Sequence, residues 1–315
     1  MPACSIFILA FDQTEDGMRS FKTPLSEKLG LRYPIVAAPM FIISNKEMIV
    51  ACAEVGILGS MPSLNARTIE GFRADLEWIR ERTDKPFAIN LTIGLTAADR
   101  LEEDVALCEE FEVPVWLTSY GNPTDYVRRA KAQDAYVFHD VTNLKHAKKA
   151  EAAGVDGIIG VAAGAGGHAG RISPYALYPY LKENLSVPII AAGCISTGKQ
   201  ILASLALGAE LTYLGTRFIP STECGSSPEY KEMIVASGPE DIVYTDKVSG
   251  VHANFLKDSL PDASNPSGDP TTAKRWKDIW SAGHGVAEIH DKQSIESIVD
   301  QLVREYHDAR AALPG

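Results

Sequence analysis

Residues 163–170 read AGAGGHAG, four glycines around one histidine, directly after the apolar run DGIIGVA (156–162). An imidazole can take or give a proton near neutral pH. A glycine-rich hairpin can bring it close to a ligand. His168 is therefore the candidate catalytic residue. Two further stretches, AAGCIST (191–197) and LGTRF (214–218), place small residues where a strand should end. There Gly193, Cys194, Gly215 and Thr216 can offer backbone N–H groups to an anion, with the positive end of the next helix adding to the field. Asn90 stands in FAINLT (87–92), where an amide can hold the polar edge of a ring. Pro39 and Met40 follow PIVAA and give a stiff backbone with a soft apolar wall, suited to one face of an aromatic ring.

Other residues carry less. His146, His290 and His307 lie on polar helical or loop patterns and read as surface. The pair His139-Asp140 is open to either a structural or a functional reading. No HExxH or carboxylate cluster points to a metal, and no GxSxG points to a hydrolase.

These residues need a scaffold that brings strand ends together. Eight apolar segments fit: 34–40, 56–62, 87–93, 113–120, 135–141, 156–162, 187–193 and 210–218. Most are near-continuous rather than alternating, as in strands buried on both faces of a parallel sheet. Helical patterns separate them, and AEVG, AEAAG and LALG place a glycine at an expected helix end. Eight strands alternating with helices predict a (β/α)8 TIM barrel, whose chemistry sits at the C-terminal ends of the strands and whose phosphate sites follow strands seven and eight. The doubly wound alternative lacks its GxGxxG after the first strand.

After Phe218 the rhythm breaks. The expected division is an N-terminal extension over 1–21, a barrel over 22–220, a small lobe over 221–293 and a terminal helix over 294–315 packing back on the barrel. The lobe is expected to be mainly helical and to cover the barrel mouth, with a loop at LPDASNPSGDP (260–270) and a helical pattern in KRWKDIWSAG (274–283). Met18 opens MRSFKTPLSEKLGL, a typical start for a globular enzyme, so residues 1–17 read as an addition.

Bulk properties narrow the class. A net charge of −11 disfavours nucleic acid and anionic lipid, and KHAKK (145–149) and RRAK (128–131) read as solvated helix faces. Five cysteines, Cys4, Cys52, Cys108, Cys194 and Cys224, form no CxxC, which fits a reducing cytoplasm. IFILAF (6–11) is too short to span a bilayer.

With these pieces placed, the chain resembles the nitronate monooxygenase family, once called 2-nitropropane dioxygenases. The resemblance runs from about Thr23 through Pro220 on TPLSEKLGLRYPIVAAPM, FAINLT, AEAAGVDGIIG followed by AGGHAG, VPIIAAGCISTG and LALGAELTYLGTRF, in that order. It implies a TIM barrel holding FMN. Ala38, Pro39 and Met40 would lie against the flavin, Asn90 would contact its ring, and Gly193, Cys194, Gly215 and Thr216 would hold the phosphate. Asp140, Gly166, Gly167, Ala192 and Leu214 complete the expected cofactor wall, and Met61, Ser119 and Tyr120 the expected substrate side. His168 would stand beside the substrate as base or charge stabiliser.

Two residues depart from the family pattern. Some members carry a lysine after the fifth strand, where this chain has Asp140, which cannot stabilise an anionic reduced flavin. Cys194 stands where glycine is common, a change that keeps the N–H donor. The implied reaction is oxidation of alkyl nitronates, and of nitroalkanes as a further substrate, by O2 to a carbonyl compound and nitrite. The alternatives are an NAD(P)H-dependent flavin reductase acting on quinones or enoyl thioesters, and a non-flavin barrel for a phosphate ligand. A small-molecule substrate, no nucleic-acid or membrane partner, and a homodimer are the expected associations.

Overall fold

The computed structural model describes residues 21–260 and 279–314. Eight parallel strands close into a barrel: β1 (Ile35–Ala37), β2 (Leu58–Pro62), β3 (Phe87–Thr92), β4 (Val115–Ser119), β5 (Tyr136–Val141), β6 (Gly157–Val161), β8 (Ile189–Ala192) and β9 (Leu211–Leu214). Each falls inside one of the eight apolar segments. The barrel closes where β1 meets β9, with Ile35 opposite Thr212 and Ala37 opposite Leu214. The two-residue β7 (Gly167–His168) lies outside it.

The connecting helices are α2 (Lys46–Val55), α3 (Ile69–Arg80), α4 (Ala98–Glu110), α5 (Thr124–Lys131), α6 (Leu144–Ala152), α7 (Pro174–Asn184) and α8 (Gly198–Ala206). Gly56, Gly154 and Gly208 close α2, α6 and α8 with φ of +83°, +91° and +97°, the left-handed ending their sequences imply.

The pleat divides the apolar residues into two cores. One face of the strands, with Val36, Leu58, Ala88, Leu117, Phe138, Ile159, Ile190 and Leu211, fills the barrel. The other, with Ile35, Ile89, Trp116, Val137, Ile158 and Ile189, packs against the helices. The short α1 (Pro24–Lys28) plugs the N-terminal end, adding Leu25, Leu29 and Leu31 to the inner core. Its cap Thr23 donates to Glu210 O at 2.6 Å, which fastens the plug to the start of β9.

Past the barrel come α9 (Pro228–Ala236), β10 (Ile242–Thr245), β11 (Ala253–Leu256) and the terminal α10 (Ile295–Ala312). The described part of the lobe has one α-helix and three short 3-10 helices, together with a three-stranded antiparallel sheet in the order β10-β11-β7 that the mainly helical expectation did not include. Residues 261–270 of the expected loop and the first half of the 274–283 helical pattern lie outside the described residues, as do residues 1–20 of the N-terminal extension with Cys4; the described half of that pattern, 279–283, is not helical. Ala253 pairs with His168 and Asn254 with Gly167. The strand carrying His168 thus belongs to the lobe's sheet, not to the barrel's. α10 packs on α8 and α2. A Cβ on Gly198 would meet Leu302 O at 2.2 Å, so only glycine allows that approach. Among the described residues no helix is long and apolar enough to cross a membrane.

Candidate active site

The upper interior of the barrel is polar. Strand alternation carries the inner face from Ala88 to Asn90, from Leu117 to Ser119, and from Phe138 to Asp140. These three side chains form a chain of hydrogen bonds. Asn90 Nδ2 donates to Ser119 Oγ at 2.9 Å and to Leu117 O at 3.1 Å, and Ser119 donates to Asp140 Oδ2 at 2.7 Å. Burial pushes the Asp140 carboxyl up to about 6, against the lowering effect of Ser119. Burial, then the charge of Asp140, pushes Tyr120 up to about 12 and Tyr213 well above its ordinary value.

The same alternation turns His139 the other way. It shares the outer face with Val137 and Val141, and its Nδ1 lies 2.8 Å from Thr118 Oγ1. Burial, with a smaller contribution from His146, lowers it to about 4, so it is neutral and structural. Met61 is a correction of the same kind. It is 1% exposed and packs in the outer core, because Leu58 fixes the inward parity of β2. It cannot line the substrate side. Leu214 also faces outward, and only its backbone reaches the mouth, where its carbonyl accepts from Ala38 N–H at 2.9 Å.

The loop after β1 is clamped. Asn65 accepts from Ile42 N–H at 2.7 Å and donates to Met40 O and Ser44 O at 3.0 and 2.7 Å. Ile42 is held at φ 73°, unusual for a β-branched residue, and Phe41 and Ile42 stand exposed. Gly215 opens onto this loop: a Cβ there would lie 3.8 Å from Ala38 Cβ and 3.9 Å from Met40 Sδ. Pro39, between them, is half-buried.

His168 stands half-buried, edge-on to Tyr120, with ring centroids 5.8 Å apart and planes at 88°. Its Nε2 lies 3.4 Å from Ser249 Oγ, and Ser249 donates its own proton to Val251 O at 3.0 Å. The serine oxygen therefore accepts from Nε2–H, which leaves Nδ1 as the basic nitrogen. Burial lowers the imidazole below its ordinary value, so it is neutral at pH 7. The hairpin is tied down by Asn254, which is 1% exposed and donates to Ala165 O at 2.7 Å. Its glycines do different work. Gly166 packs on Ala282 and Gly283, where a Cβ would meet Gly283 N at 2.9 Å, whereas Gly167, at φ +69°, opens onto free space.

The loops expected to cradle an anion lie against one another, with one correction. The first donors of α8 are already used. Ser196 and Thr197 N–H both go to Gln200 Oε1, Gly198 N–H goes to Glu305 Oε2, and Gln200 N–H goes to Thr197 Oγ1. The helix end therefore keeps few donors for an anion, because its capping box and a carboxylate from α10 satisfy most of them. What remains is the loop itself. Gly193 (φ +120°) and Cys194 (φ 56°) turn the chain after Ala192, whose carbonyl accepts from Tyr178 O–H at 3.0 Å. Thr216 Oγ1 accepts from Gly283 N–H at 2.9 Å, and Gly164 O accepts from His284 N–H at 2.9 Å. A Cβ on Gly164 would lie 2.3 Å from Cys194 Sγ and 2.7 Å from His284 Nδ1. Ser196 Oγ is buried with no hydrogen-bond partner. An orphaned hydroxyl inside walls that glycines keep open fits a small polar group such as a phosphate.

Sequence reading did not single out Ser196, Ser249, Asn254 or His284. Only His284 had a visible signal: AGHGV (282–286) repeats the glycine-flanked histidine of the hairpin.

A closed (β/α)8 barrel with a polar inner rim, a hairpin histidine and glycine loops after its last two strands is the framework of a barrel oxidoreductase. Comparison with known proteins agrees. The nitronate monooxygenase family model matches residues 22–262, and the chain belongs to that flavin-dependent family. It is 30% identical over 284 residues to a nitronate monooxygenase of Paraburkholderia phytofirmans, covering 76% of this chain and 77% of that one. It is 27% identical over 252 residues to a Rhodococcus jostii (3aS,4S,5R,7aS)-5-hydroxy-7a-methyl-1-oxo-octahydro-1H-indene-4-carboxyl-CoA dehydrogenase, covering 80% and 70%. Among solved structures it is similar to FabK from Thermotoga maritima, with a TM-score of 0.82, 27% identity, and 93% and 98% of the two chains covered.

Proposed function

We propose that the chain binds FMN and oxidises alkyl nitronates with O2 to a carbonyl compound and nitrite. One observation carries this reading. The hairpin that bears His168 also forms a wall of the cradle, through Gly164 against Cys194 and His284. A ligand with its phosphate in the cradle would reach from there toward His168 and the Asn90–Ser119–Asp140 chain. The bound flavin would supply the electron-accepting ring. Ala38, Pro39, Met40 and Gly215 would wall that ring, and Asn90 Oδ1 would accept from its polar edge.

His168 suits this substrate class. Its Nδ1 would take the Cα proton of a nitroalkane or approach a nitronate, and the neutral ring would not neutralise Asp140 below it. Tyr120, with its phenol held protonated, would exclude water at the hairpin edge. The purified chain should be yellow and release FMN on denaturation. Mixed anaerobically, an alkyl nitronate should bleach it faster than NAD(P)H does. A chain left colourless after reconstitution with FMN would overturn the reading.

A second reading keeps the flavin and makes NAD(P)H the reductant for an enoyl thioester or quinone. The Rhodococcus relative, named for a CoA thioester substrate, favours it. So does Asp140, a carboxyl where a cation would favour an anionic reduced flavin. Rapid bleaching by NAD(P)H alone would select it.

A further inference from the structure

Single apolar side chains are ordinary on a protein surface, but their gathering around one opening is not. Among the described residues seven large hydrophobic side chains stand exposed. Four of them are on loops at the mouth: Phe41 and Ile42 after β1, Leu95 after β3, and Val251 in the β10–β11 hairpin. The other three lie on α7 and just past α10. Leu95 and Val251 are both tied to His168. Ser249, which accepts from His168 Nε2–H, donates to Val251 O at 3.0 Å, so the hairpin tip is fixed beside the imidazole. Tyr120 stands edge-on to the same ring, and the loop of Leu95 packs on Tyr120. A Cβ on Gly94 would lie 3.1 Å from Tyr120 Cβ, and one on Gly121 would lie 3.0 Å from Ile93 Cγ2. Leu95 is nevertheless 66% exposed and Val251 49%. Below His168 the barrel offers no apolar berth. Asn90, Ser119 and Asp140 line it, and Leu117 and Phe138 fill the core beneath them. An apolar chain on the reacting carbon must therefore leave toward the rim. A stable protein interface buries roughly 800 Å² per partner, which single aliphatic side chains from two loops do not supply. They are enough for the chain of a small molecule.

We propose that the substrate carries an unbranched alkyl tail that runs out past Tyr120 and lies against Leu95 and Val251, so that these two residues set a preference for long chains. The inference rests on the nitronate reading and deepens it. A short nitronate meets only His168 and the polar interior. A long one also covers the two aliphatic side chains that the mouth leaves in water. One of these belongs to the barrel and the other to the lobe, so a tail against both spans the two parts of the molecule.

The test is a homologous series. For the holoenzyme, kcat/KM is measured by O2 consumption with the nitronates of the straight-chain nitroalkanes from nitroethane to nitrooctane. It should rise roughly two- to fourfold per methylene, the range for partial to full burial of a CH2 group, until the tail passes the rim. In the double variant Leu95→Ser, Val251→Ser the ratio of the nitrooctane value to the nitroethane value should collapse. Leu95→Phe, which keeps the apolar surface, should preserve it. Both residues are exposed, so the variants should melt with the wild type. A flat series in the wild type overturns the proposal while leaving the nitronate reading intact. So does an unchanged ratio in the double variant. If that variant instead changes the oligomeric state by light scattering with the ratio unchanged, the rim is a contact between copies and the proposal falls. If no nitronate of any length is oxidised, the nitronate reading fails. The tail is then judged by calorimetry with the nitroalkanes themselves. Affinity rising by the same factor per methylene in the wild type and not in the double variant supports it, and a flat binding series overturns it as well.

Discussion

The two halves of the site are built differently. Asn90, Ser119 and Asp140 sit on three adjacent strands of a closed barrel, and their hydrogen bonds join residues 29 and 21 positions apart. His168, Ser249, Asn254 and His284 are held by the lobe, through contacts spanning 81 residues from His168 to Ser249 and 89 from Ala165 to Asn254. A closed sheet has no free edge, so its ladder fixes the barrel half. The lobe half rests on a two-residue strand and a few single hydrogen bonds. The floor of the site is therefore rigid by construction, and its lid-side chemistry is adjustable.

Substitutions can break this contrast. The largest effect should come from His168→Asn, which removes the base while leaving a polar side chain. Nitronate turnover should fall roughly 10²–10⁴-fold with flavin binding retained. Unchanged turnover would strip the histidine of its role. Asn254→Ala comes next. It leaves Ala165 O without its buried donor and should cost about 1–3 kcal/mol in chemical denaturation, together with a fall in kcat, because the hairpin loses its tie. On the barrel side, Ser119→Ala cuts the chain between Asn90 and Asp140. It should cost about 1 kcal/mol and raise the apparent pKa of Asp140 further, read from the carboxyl resonance by NMR, with the hairpin undisturbed.

Asp140→Asn sharpens the comparison through pH. The folded-state value of this carboxyl is raised, so the folded protein binds its proton more tightly than the unfolded chain does. The wild type is favoured at low pH and loses that advantage as pH rises through about 6. The melting temperature of the asparagine variant relative to wild type should therefore climb between about pH 4 and pH 6 and level off above. A flat difference would place the carboxyl outside the buried network. The smallest effect belongs to Met61→Leu, a volume-conserving change in the outer core. It should cost less than about 1.5 kcal/mol and leave substrate affinity untouched.

The contrast also explains what could be read in advance. All eight barrel strands and the seven helices between them lie where apolar runs and helix-end glycines put them, because burial on both faces leaves a continuous signature. The lobe sheet leaves none. β10 and β11 have four residues each, and β7 is a glycine and a histidine. Its existence depends on a pairing between distant segments that no local pattern announces. Met61, expected on the substrate side, and His139, open to either reading, share a narrower reason. Being at a strand end does not decide which face a side chain takes, and the inward parity is set by Leu58 on β2 and Phe138 on β5. The use of the α8 donors by Gln200 and Glu305 was equally hidden, since Glu305 arrives from a helix more than a hundred residues away.

The pairing of His168 with Ala253 ties the orientation of the imidazole to a register. Side chains in a strand change face with every residue, so a slip of one residue against β11 would turn the ring away from Tyr120, whereas the glycine-rich loop before it can absorb a change of length.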